Sequence, residues 1–449
     1  MSTSRRIFLK QLGCSALGIL AACQAENLVD TRQPIKIGAM YLLEGELAAY
    51  GKSARDGVNL ALEEINRAGG VNGQSIAVIF ADERDTIQTA RRLVLRDNVN
   101  FLLGIDHSSH GEILVPTIPE LERVLMVTHA ASAEMTGKFC NRSVFRCSVN
   151  SFQNSTAGAE VAAGEGYQKW TTIGPDYTFG HQSWDGFRQG LQARREGVKF
   201  LEKTAFSPLG TGNYNNLIRM LQESGAEAIW CSLWGSDLVT FVRQAANLRL
   251  FDRFPVFMEL GAAMEVLEAL GTQMPLGQWV GSRYWWQTPD TRINREFVRR
   301  FRDRYNTYPS YNAQNAYVGV QLLAIATNNA GSTDSNAVID ALKGLEYEAP
   351  MGKLTLRPQD HQAVVNVTWG KTAASPDYNF RILDPIRVFD GNTVTRPVEA
   401  TGCQLAVARV HRQPRRPIGD SDGKLRTRRG SNFSPPSNLR GPTDRSPDL

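Results

Sequence analysis

The fold is decided by residues 35–74, which read IKIGAMYLLEGELAAYGKSARDGVNLALEEINRAGGVNGQ. The first six, Ile35–Met40, are mostly apolar and predict a buried strand. Apolar residues then recur at helical spacing through Lys52–Ala68, and Gly69-Gly70 ends that pattern. A polar turn leads into a second predicted strand, Ser75–Phe80. The segment therefore predicts a strand, a loop, a helix and a further strand, which is the repeating unit of a parallel α/β sheet.

The same alternation of strands and helices continues along most of the chain, and it predicts two lobes. The first lobe is expected from residues 34–149 plus about 277–350, and the second from 150–276 plus about 351–402. Val144–Val149 is interpreted as a crossing strand, and Gly277–Trp285 is expected to bring the chain back to the first lobe. Because the chain crosses more than once, we expect a multi-strand hinge and a cleft between the lobes.

This organisation resembles the type I periplasmic binding proteins, in particular the receptors of branched-chain amino acid ABC transporters. The resemblance covers roughly Pro34 to Gly402 and begins with the strand, loop and helix of residues 35–74. It implies an α/β fold of two Rossmann-like lobes that close on a small ligand. It further implies delivery of the ligand to a membrane permease, with no chemistry on the ligand and no cofactor.

Two loops that follow predicted strands are candidate ligand contacts. They are Gly104–Ser109 and Thr128–Ser132, and ligands of parallel sheets bind beyond the carboxyl ends of strands, near helix N-termini. In the resembling family, a serine at the position of Ser109 and the residues at Ala130, Ala131 and Ser132 hold the carboxylate and ammonium of an amino acid. The alternative is that these serines only cap helices.

Aromatic residues are expected to complete the cleft. The resemblance places Tyr50 on the first lobe and Phe179 and Trp234 on the second lobe, at positions where relatives carry tyrosines. It also places Glu259, just after the predicted strand Val256–Met258, as the partner of a ligand ammonium. These residues suggest a hydrophobic, branched-chain-like amino acid. Receptors for amides, urea or aromatic acids share the pattern, and a sensor acting through a separate signalling protein also fits it.

The sequence offers little support for an enzyme active site or a metal site. The common nucleotide-binding and hydrolase motifs, such as G-x-x-x-x-G-K-[ST] and G-x-S-x-G, do not occur at a strand-to-helix turn. The best metal candidates are Asp106, His107, His110 and His129, because imidazoles and a carboxylate come together near the predicted cleft. Polar loop histidines beside a small-molecule site are the preferred interpretation, so no enzyme activity and no metal are predicted.

The N-terminus carries export signals. Residues 4–10, SRRIFLK, match a twin-arginine signal, and the Leu20-Ala21-Ala22-Cys23 stretch resembles a lipobox. Residues 1–22 are therefore predicted to be removed and Cys23 to be lipidated, although a plain export signal with an incidental cysteine remains open. We expect a periplasmic or cell-envelope protein held at the membrane by its lipid.

Charge is distributed unevenly along the chain. The sequence has 50 Lys+Arg and 45 Asp+Glu, but the basic excess lies in the signal and in residues 404–449, while the body between them is slightly acidic. A nucleic-acid-binding domain would carry its basic patch on the fold, so nucleic acid is not an expected partner. The basic, Pro/Ser-rich tail 404–449 lacks the apolar residues needed to order it and is predicted to be disordered.

Cysteine pairing is left partly open by the sequence. Cys140 and Cys147 bracket a short loop, and an oxidising compartment makes a disulfide between them a reasonable expectation. Cys231 lies in an apolar run and is expected to be buried, and a bond between Cys231 and Cys403 cannot be judged from spacing.

Overall fold

A computed structural model describes residues 33–405 of the chain. The predictions for the export segment 1–22, for Cys23 and for nearly all of the basic tail concern residues outside this range. Between residues 33 and 405, no helix combines the length and apolar character that crossing a bilayer would require.

The described part of the chain alternates strands and helices. Its sixteen strands are β1 Ile35–Tyr41, β2 Ile76–Asp82, β3 Phe101–Gly104, β4 Val124–Val127, β5 Val144–Arg146, β6 Lys169–Pro175, β7 Lys199–Phe200, β8 Ala205–Ser207, β9 Ala228–Cys231, β10 Val256–Met258, β11 Trp279–Ser282, β12 Glu346–Ala349, β13 Gly352–Leu356, β14 Ala363–Val364, β15 Val367–Ala373 and β16 Ile382–Phe389. Its twelve α-helices are α1 Ala48–Arg67, α2 Thr86–Leu95, α3 Ser108–Leu114, α4 Ser151–Glu165, α5 Thr178–Gln192, α6 Asn215–Gln222, α7 Gly235–Asn247, α8 Met264–Leu270, α9 Arg292–Tyr305, α10 Tyr311–Ala330, α11 Ser335–Leu342 and α12 Gly391–Val394.

The first lobe is built on a five-stranded sheet in the order β2-β1-β3-β4-β5. All of its strands run parallel. Helices α1 and α10 pack against each other, and Gly57 makes this possible, because a Cβ there would lie 1.9 Å from the Ala313 carbonyl oxygen. Val144–Arg146 is the fifth strand of this sheet. The crossing strand expected over Val144–Val149 is therefore wrong, and the chain crosses after it, at residues 147–150.

The second lobe is built on an eight-stranded sheet with the order β16-β15-β11-β10-β9-β6-β7, to which β8 pairs beside β6. Strand β11 runs parallel to β10 and antiparallel to β15. The prediction that Gly277–Trp285 re-enters the first lobe is thus wrong, because its strand belongs to the second sheet and the chain returns only after Ser282. A short apolar run identifies a strand but not the sheet that it joins.

A small antiparallel sheet, β12-β13-β14, lies against the first lobe. Strand β12 contacts α9, and the His361 ring stacks on Phe145 of β5 at 3.8 Å between ring centroids. Residues 351–364, expected in the second lobe, therefore pack with the first. Strands β15 and β16 return to the second sheet.

One disulfide links the first lobe to the segment that follows α12. Cys140 is bonded to Cys403, with their Cα atoms 5.5 Å apart. The expected Cys140–Cys147 bond is therefore wrong. Cys147 follows β5 into the core, where its Sγ lies 3.6 Å from the carbonyl oxygens of Val127 and Asn315. Cys147 and Cys231 are free and buried, and burial raises the pKa of each thiol to about 12.

Candidate functional site

A buried cavity lies between the two lobes. Its volume is only about 20 Å³, room for little more than one water molecule, so a ligand can enter only if the lobes separate. The first lobe and the second lobe both contribute, and Arg283 joins them from the crossing that follows β11. The lining residues are Tyr50, Asp106, Ser108, His129, Ala131, Tyr177, Phe179, Trp234, Leu260, Arg283, Tyr311 and Asn312.

Aromatic rings from both lobes meet in this cavity. Tyr50 and Trp234 pack edge to face across the cleft, with ring centroids 5.3 Å apart, and the Tyr50 hydroxyl accepts the Gly235 N–H at 3.1 Å. Trp234 Nε1 donates to the Tyr177 hydroxyl at 3.1 Å. The structure thus brings together the three predicted wall residues Tyr50, Phe179 and Trp234. Tyr177 was missed, although it lies two residues before Phe179 in the same loop.

The serine that reaches the cavity is Ser108, not Ser109. Helix α3 begins at Ser108, and its Oγ accepts the backbone N–H groups of Ala131 and Ser132 at 3.2 and 3.1 Å. Ser109 is the next residue along the helix, where the side chain is rotated by about 100°. Sequence spacing located the right loop, but it did not resolve which of the two neighbouring serines faces inward.

The three predicted contacts of the second loop, Ala130, Ala131 and Ser132, have different surroundings in the structure. Ala131 lines the cavity, whereas Ala130 and Ser132 are buried behind it. The Ala130 carbonyl accepts from Arg146 at 3.2 Å. Ser132 Oγ donates to Glu112 and accepts the Glu134 N–H at 3.2 Å, so this hydroxyl already has partners. Direct ligand contact at Ala130 and Ser132 is therefore not what the geometry favours.

Asp106 and His129 form a buried pair at the floor of the cavity. His129 Nδ1 lies 2.8 Å from Asp106 Oδ1, and its Nε2 donates to the Asn312 carbonyl at 2.8 Å. Asp106 Oδ2 accepts the Leu42 N–H at 2.8 Å. Because both ring nitrogens face acceptors, one proton is shared between Asp106 and His129 and a second lies on Nε2. The pair as a whole carries no net charge.

The other candidate metal ligands point to separate partners. His110 Nδ1 lies 3.0 Å from Glu83 Oε1, and the His107 ring stacks on Tyr177 with centroids 4.4 Å apart. Burial raises the pKa of Glu83 to about 7 and lowers the pKa of His107 to about 4. Among residues 33–405, His, Cys, Asp and Glu side chains form no group of three placed to hold a metal ion.

Glu259 does not line the cavity. It is fully buried in the second lobe, where it accepts from the Ser183 hydroxyl and from Asn154 Nδ2, the latter at 3.3 Å. Burial raises the pKa of this carboxyl to about 7. Leu260, the next residue in the turn that follows β10, takes the position at the wall. The expected ammonium partner therefore lies behind the wall.

Arg283 is the main feature that sequence reasoning missed. Its side chain is buried, and one guanidinium nitrogen donates to the His129 carbonyl at 2.6 Å. Its Nε is buried, and no acceptor for it lies in the part of the chain that the structure describes. An arginine inside the apolar run WVGSRYWW, residues 279–286, was a signal that could have singled it out, because a buried charge needs a partner.

Comparisons with known proteins agree with this architecture. Residues 34–374 match the family model described as periplasmic binding protein. The Leu/Ile/Val-binding protein homolog 6 of Brucella melitensis is 23% identical over 388 residues, covering 82% of this chain and 94% of that protein.

Solved structures share the fold. An amino acid ABC transporter substrate-binding protein from Pseudomonas fluorescens Pf-5 is 24% identical, covers 83% of this chain and 99% of its own, and has a TM-score of 0.74. A solute-binding protein of an ABC transporter from Rhodopseudomonas palustris, solved with 4-hydroxybenzoate, is 20% identical, covers 82% and 99%, and has a TM-score of 0.73. The predicted two-lobed α/β fold is thereby confirmed.

The family match spans most of the chain, and it includes the first sheet, every strand of the second sheet except β16, and the cavity between them. The resemblance identified from residues 35–74 is confirmed. The chain belongs to the periplasmic binding protein family, in the type I branch that includes the Leu/Ile/Val-binding proteins.

Proposed function

We propose that this protein is the solute-binding component of an ABC importer, and that it captures a small hydrophobic compound bearing a carboxylate. The first candidate ligand is a branched-chain-like amino acid. The observation that carries this proposal is the buried cavity between the lobes, with aromatic walls from both sides and a polar floor. Such an apolar site with a few polar groups is typical of small-molecule binding.

Closure of the two lobes around the ligand produces the form that the permease recognises. Several hydrogen bonds cross between the lobes: Ala133 N–H donates to Gln182 Oε1 at 2.9 Å, and the Thr178 hydroxyl donates to Glu112 Oε2 at 3.1 Å. A ligand that contacts both walls stabilises the closed state over the open one, and only this difference in affinity shifts the populations. The permease then receives the closed, loaded form.

Two ligand classes have specific support. Hydrophobic amino acids fit the names of the Brucella relatives, and Asp106, whose oxygens are bonded to His129 and to the Leu42 N–H, is the acidic group in the lining that an ammonium would approach. Aromatic acids fit the position of Glu259 behind the wall, and a structural neighbour was solved with 4-hydroxybenzoate. Both classes carry a carboxylate on an apolar body.

The location follows from the family, whose members act in the periplasm. We further propose that Cys23 carries lipid and holds the protein at the membrane. Replacing Cys23 by Ala should move the protein from the membrane fraction to the soluble periplasmic fraction. Retention of the variant in the membrane fraction would contradict the anchor.

A thermal-shift screen tests the proposed function, because a ligand that binds only the folded state raises its melting temperature. The panel contains leucine, isoleucine, valine, phenylalanine, benzoate, 4-hydroxybenzoate, isobutyramide and urea. We expect a rise with at least one hydrophobic acid. If the melting temperature does not change with any member of the panel, the proposed ligand class is wrong.

A further inference from the structure

We propose that Arg283 binds the carboxylate of the ligand, so that the site selects hydrophobic compounds that carry this group and rejects their uncharged analogues. This inference rests on the proposed function and names the residue that sets its ligand class. Nothing in the family resemblance assigned a role to this position.

The first argument is the contrast with the other fully buried arginine near the cleft. Arg146 donates to Gln362 Oε1 at 2.7 Å, to the carbonyls of Ala130 and Ser132 at 3.2 and 2.6 Å, and to the Thr136 hydroxyl. A structural arginine in this fold is thus saturated with partners. Within the described range 33–405, Arg283 has one protein acceptor, and its Nε has none. An unpaired buried donor is costly, so its retention points to a partner that arrives with the ligand.

The second argument is charge. Asp106 is the one carboxylate among the residues that line the cavity, and it shares its proton with His129. Glu259 lies behind the wall and is bonded to Ser183 and Asn154. Among the residues that line the cavity, Arg283 therefore carries a positive charge that no lining carboxylate pairs, and the Glu259 carboxyl attracts it from behind the wall. An anion that binds in the open cleft and is enclosed on closure neutralises it, whereas an uncharged ligand would leave the guanidinium buried and unpaired.

The third argument is shape. The Arg283 Cζ lies 5.8 Å from the ring centroid of Phe179 in the second lobe and 5.3 Å from that of Tyr311 in the first lobe. A planar guanidinium between rings matches a carboxylate through paired N–H donors, while the rings exclude water and pack on the apolar body. Since Arg283 lies on a crossing between the lobes, binding at this residue also favours closure.

The test measures discrimination between acids and amides. Calorimetry with the full chain compares 4-methylpentanoate with 4-methylpentanamide, and benzoate with benzamide. We expect the wild type to prefer each acid by more than about tenfold, since hydrogen bonds to charged groups are strong. Arg283→Met should weaken the acids by a similar factor and leave the amides nearly unchanged, and Arg283→Lys should fall between the two. Leucine, compared with 4-methylpentanoate, shows whether the natural source of the carboxylate also carries an amine.

Arg302→Met is the matched control, because Arg302 is an exposed arginine over the Tyr308 ring, at 4.3 Å, outside the cavity. Its acid preference should equal that of the wild type. Equal binding of acid and amide by the wild type would overturn the role of Arg283 and leave the receptor intact, as would equal losses of both in Arg283→Met. A wild type that binds none of these compounds would instead contradict the proposed function itself, and this inference with it.

Discussion

Two buried ionisable residues near the cleft differ in how many hydrogen-bond partners the protein gives them. Glu259 accepts two hydrogen bonds from its own lobe, whereas Arg283 leaves one donor unpaired at the cavity. A side chain with internal partners serves the fold, and one without them is available to a ligand. Ser132 has partners within the fold, Glu112 and the Glu134 N–H, and Ser108 lines the cavity while accepting the N–H groups of Ala131 and Ser132.

Glu259 makes stability depend on pH. Its pKa is about 7 in the folded protein because burial disfavours the charged form, and it is near the ordinary value for glutamate when unfolded. The folded state therefore holds this proton more tightly, and the resulting stabilisation, present at low pH, is lost as the pH rises towards 7. We expect Glu259→Gln to remove a loss on the order of 2–3 kcal/mol between about pH 4.5 and pH 7, measured by urea unfolding.

An exposed carboxyl on the same lobe provides the comparison. Glu196→Gln should keep the full pH dependence of the wild type, because Glu196 is exposed. Glu83, whose pKa is also raised to about 7, contributes its own share in all three proteins. If Glu259→Gln and the wild type lose stability equally over this range, the carboxyl of Glu259 is not the group that titrates.

At the scale of single residues, the sequence predicted which types of residue form the site better than it predicted which side chains face the cavity. Tyr50, Phe179 and Trp234 reach the cavity because large rings near strand ends pack into whatever space lies between the lobes. The choices between Ser108 and Ser109 and between Glu259 and Leu260 turn on one step along the backbone. That step turns the side chain by about 100° in helix α3 and redirects it in the turn after β10, and the spacing of motifs does not encode it.

At the scale of elements, the start of helix α5 links the two lobes. Gln182 lies near its first turn, and its Oε1 accepts the Ala133 N–H of the first lobe at 2.9 Å. This bond exists only while the lobes are closed. Gln182→Ala should therefore weaken ligand binding about threefold to tenfold by favouring the open state, since one hydrogen bond is worth about 1 kcal/mol.

The same helix supplies a control. Gln189 is exposed on α5, so Gln189→Ala should bind as the wild type does. Calorimetry gives the affinities, and X-ray scattering of the free proteins should show a larger radius of gyration for Gln182→Ala alone. An unchanged affinity and radius would mean that this contact does not hold the lobes together.

Elements were predictable where their patterns are long or regular. The helix predicted at Lys52–Ala68 forms as α1, four residues longer at its start, and the strand predicted at Val256–Met258 forms with those bounds. The membership of a short strand in one sheet or the other was not predictable. Trp279–Ser282 joins the second sheet by pairing with β10 on one side and β15 on the other. Strand β10 precedes it and β15 follows it much later in the chain, so the local sequence does not reveal either pairing.

At the scale of the whole molecule, the Cys140–Cys403 bond ties the end of the described chain to the first lobe across 263 residues. Closing so long a loop restricts the unfolded chain, which stabilises the fold by about 2–4 kcal/mol. Reductant should lower the unfolding free energy of the wild type by this amount. The double variant Cys140→Ser, Cys403→Ser should be equally unstable with and without reductant.

Peptide mapping checks the pairing directly. The non-reduced protein should yield a linked peptide that contains Cys140 and Cys403. A linked peptide with Cys140 and Cys147 would contradict the structure and restore the local bond that the sequence suggested. The sequence could not decide between them, because cysteine spacing does not reveal that β5 turns Cys147 into the core.

Among residues 33–405, each lobe contains one free thiol, which reports on the opening of that lobe. Cys147 is sealed in the first lobe and Cys231 at the end of β9 in the second, and both are protected by burial and by a pKa near 12. A small thiol reagent reaches either one only when that lobe loosens, since the thiolate forms only on exposure. The rates at which the reagent modifies the two cysteines therefore report local opening within each lobe. They distinguish it from the hinge motion between the lobes, without any introduced probe.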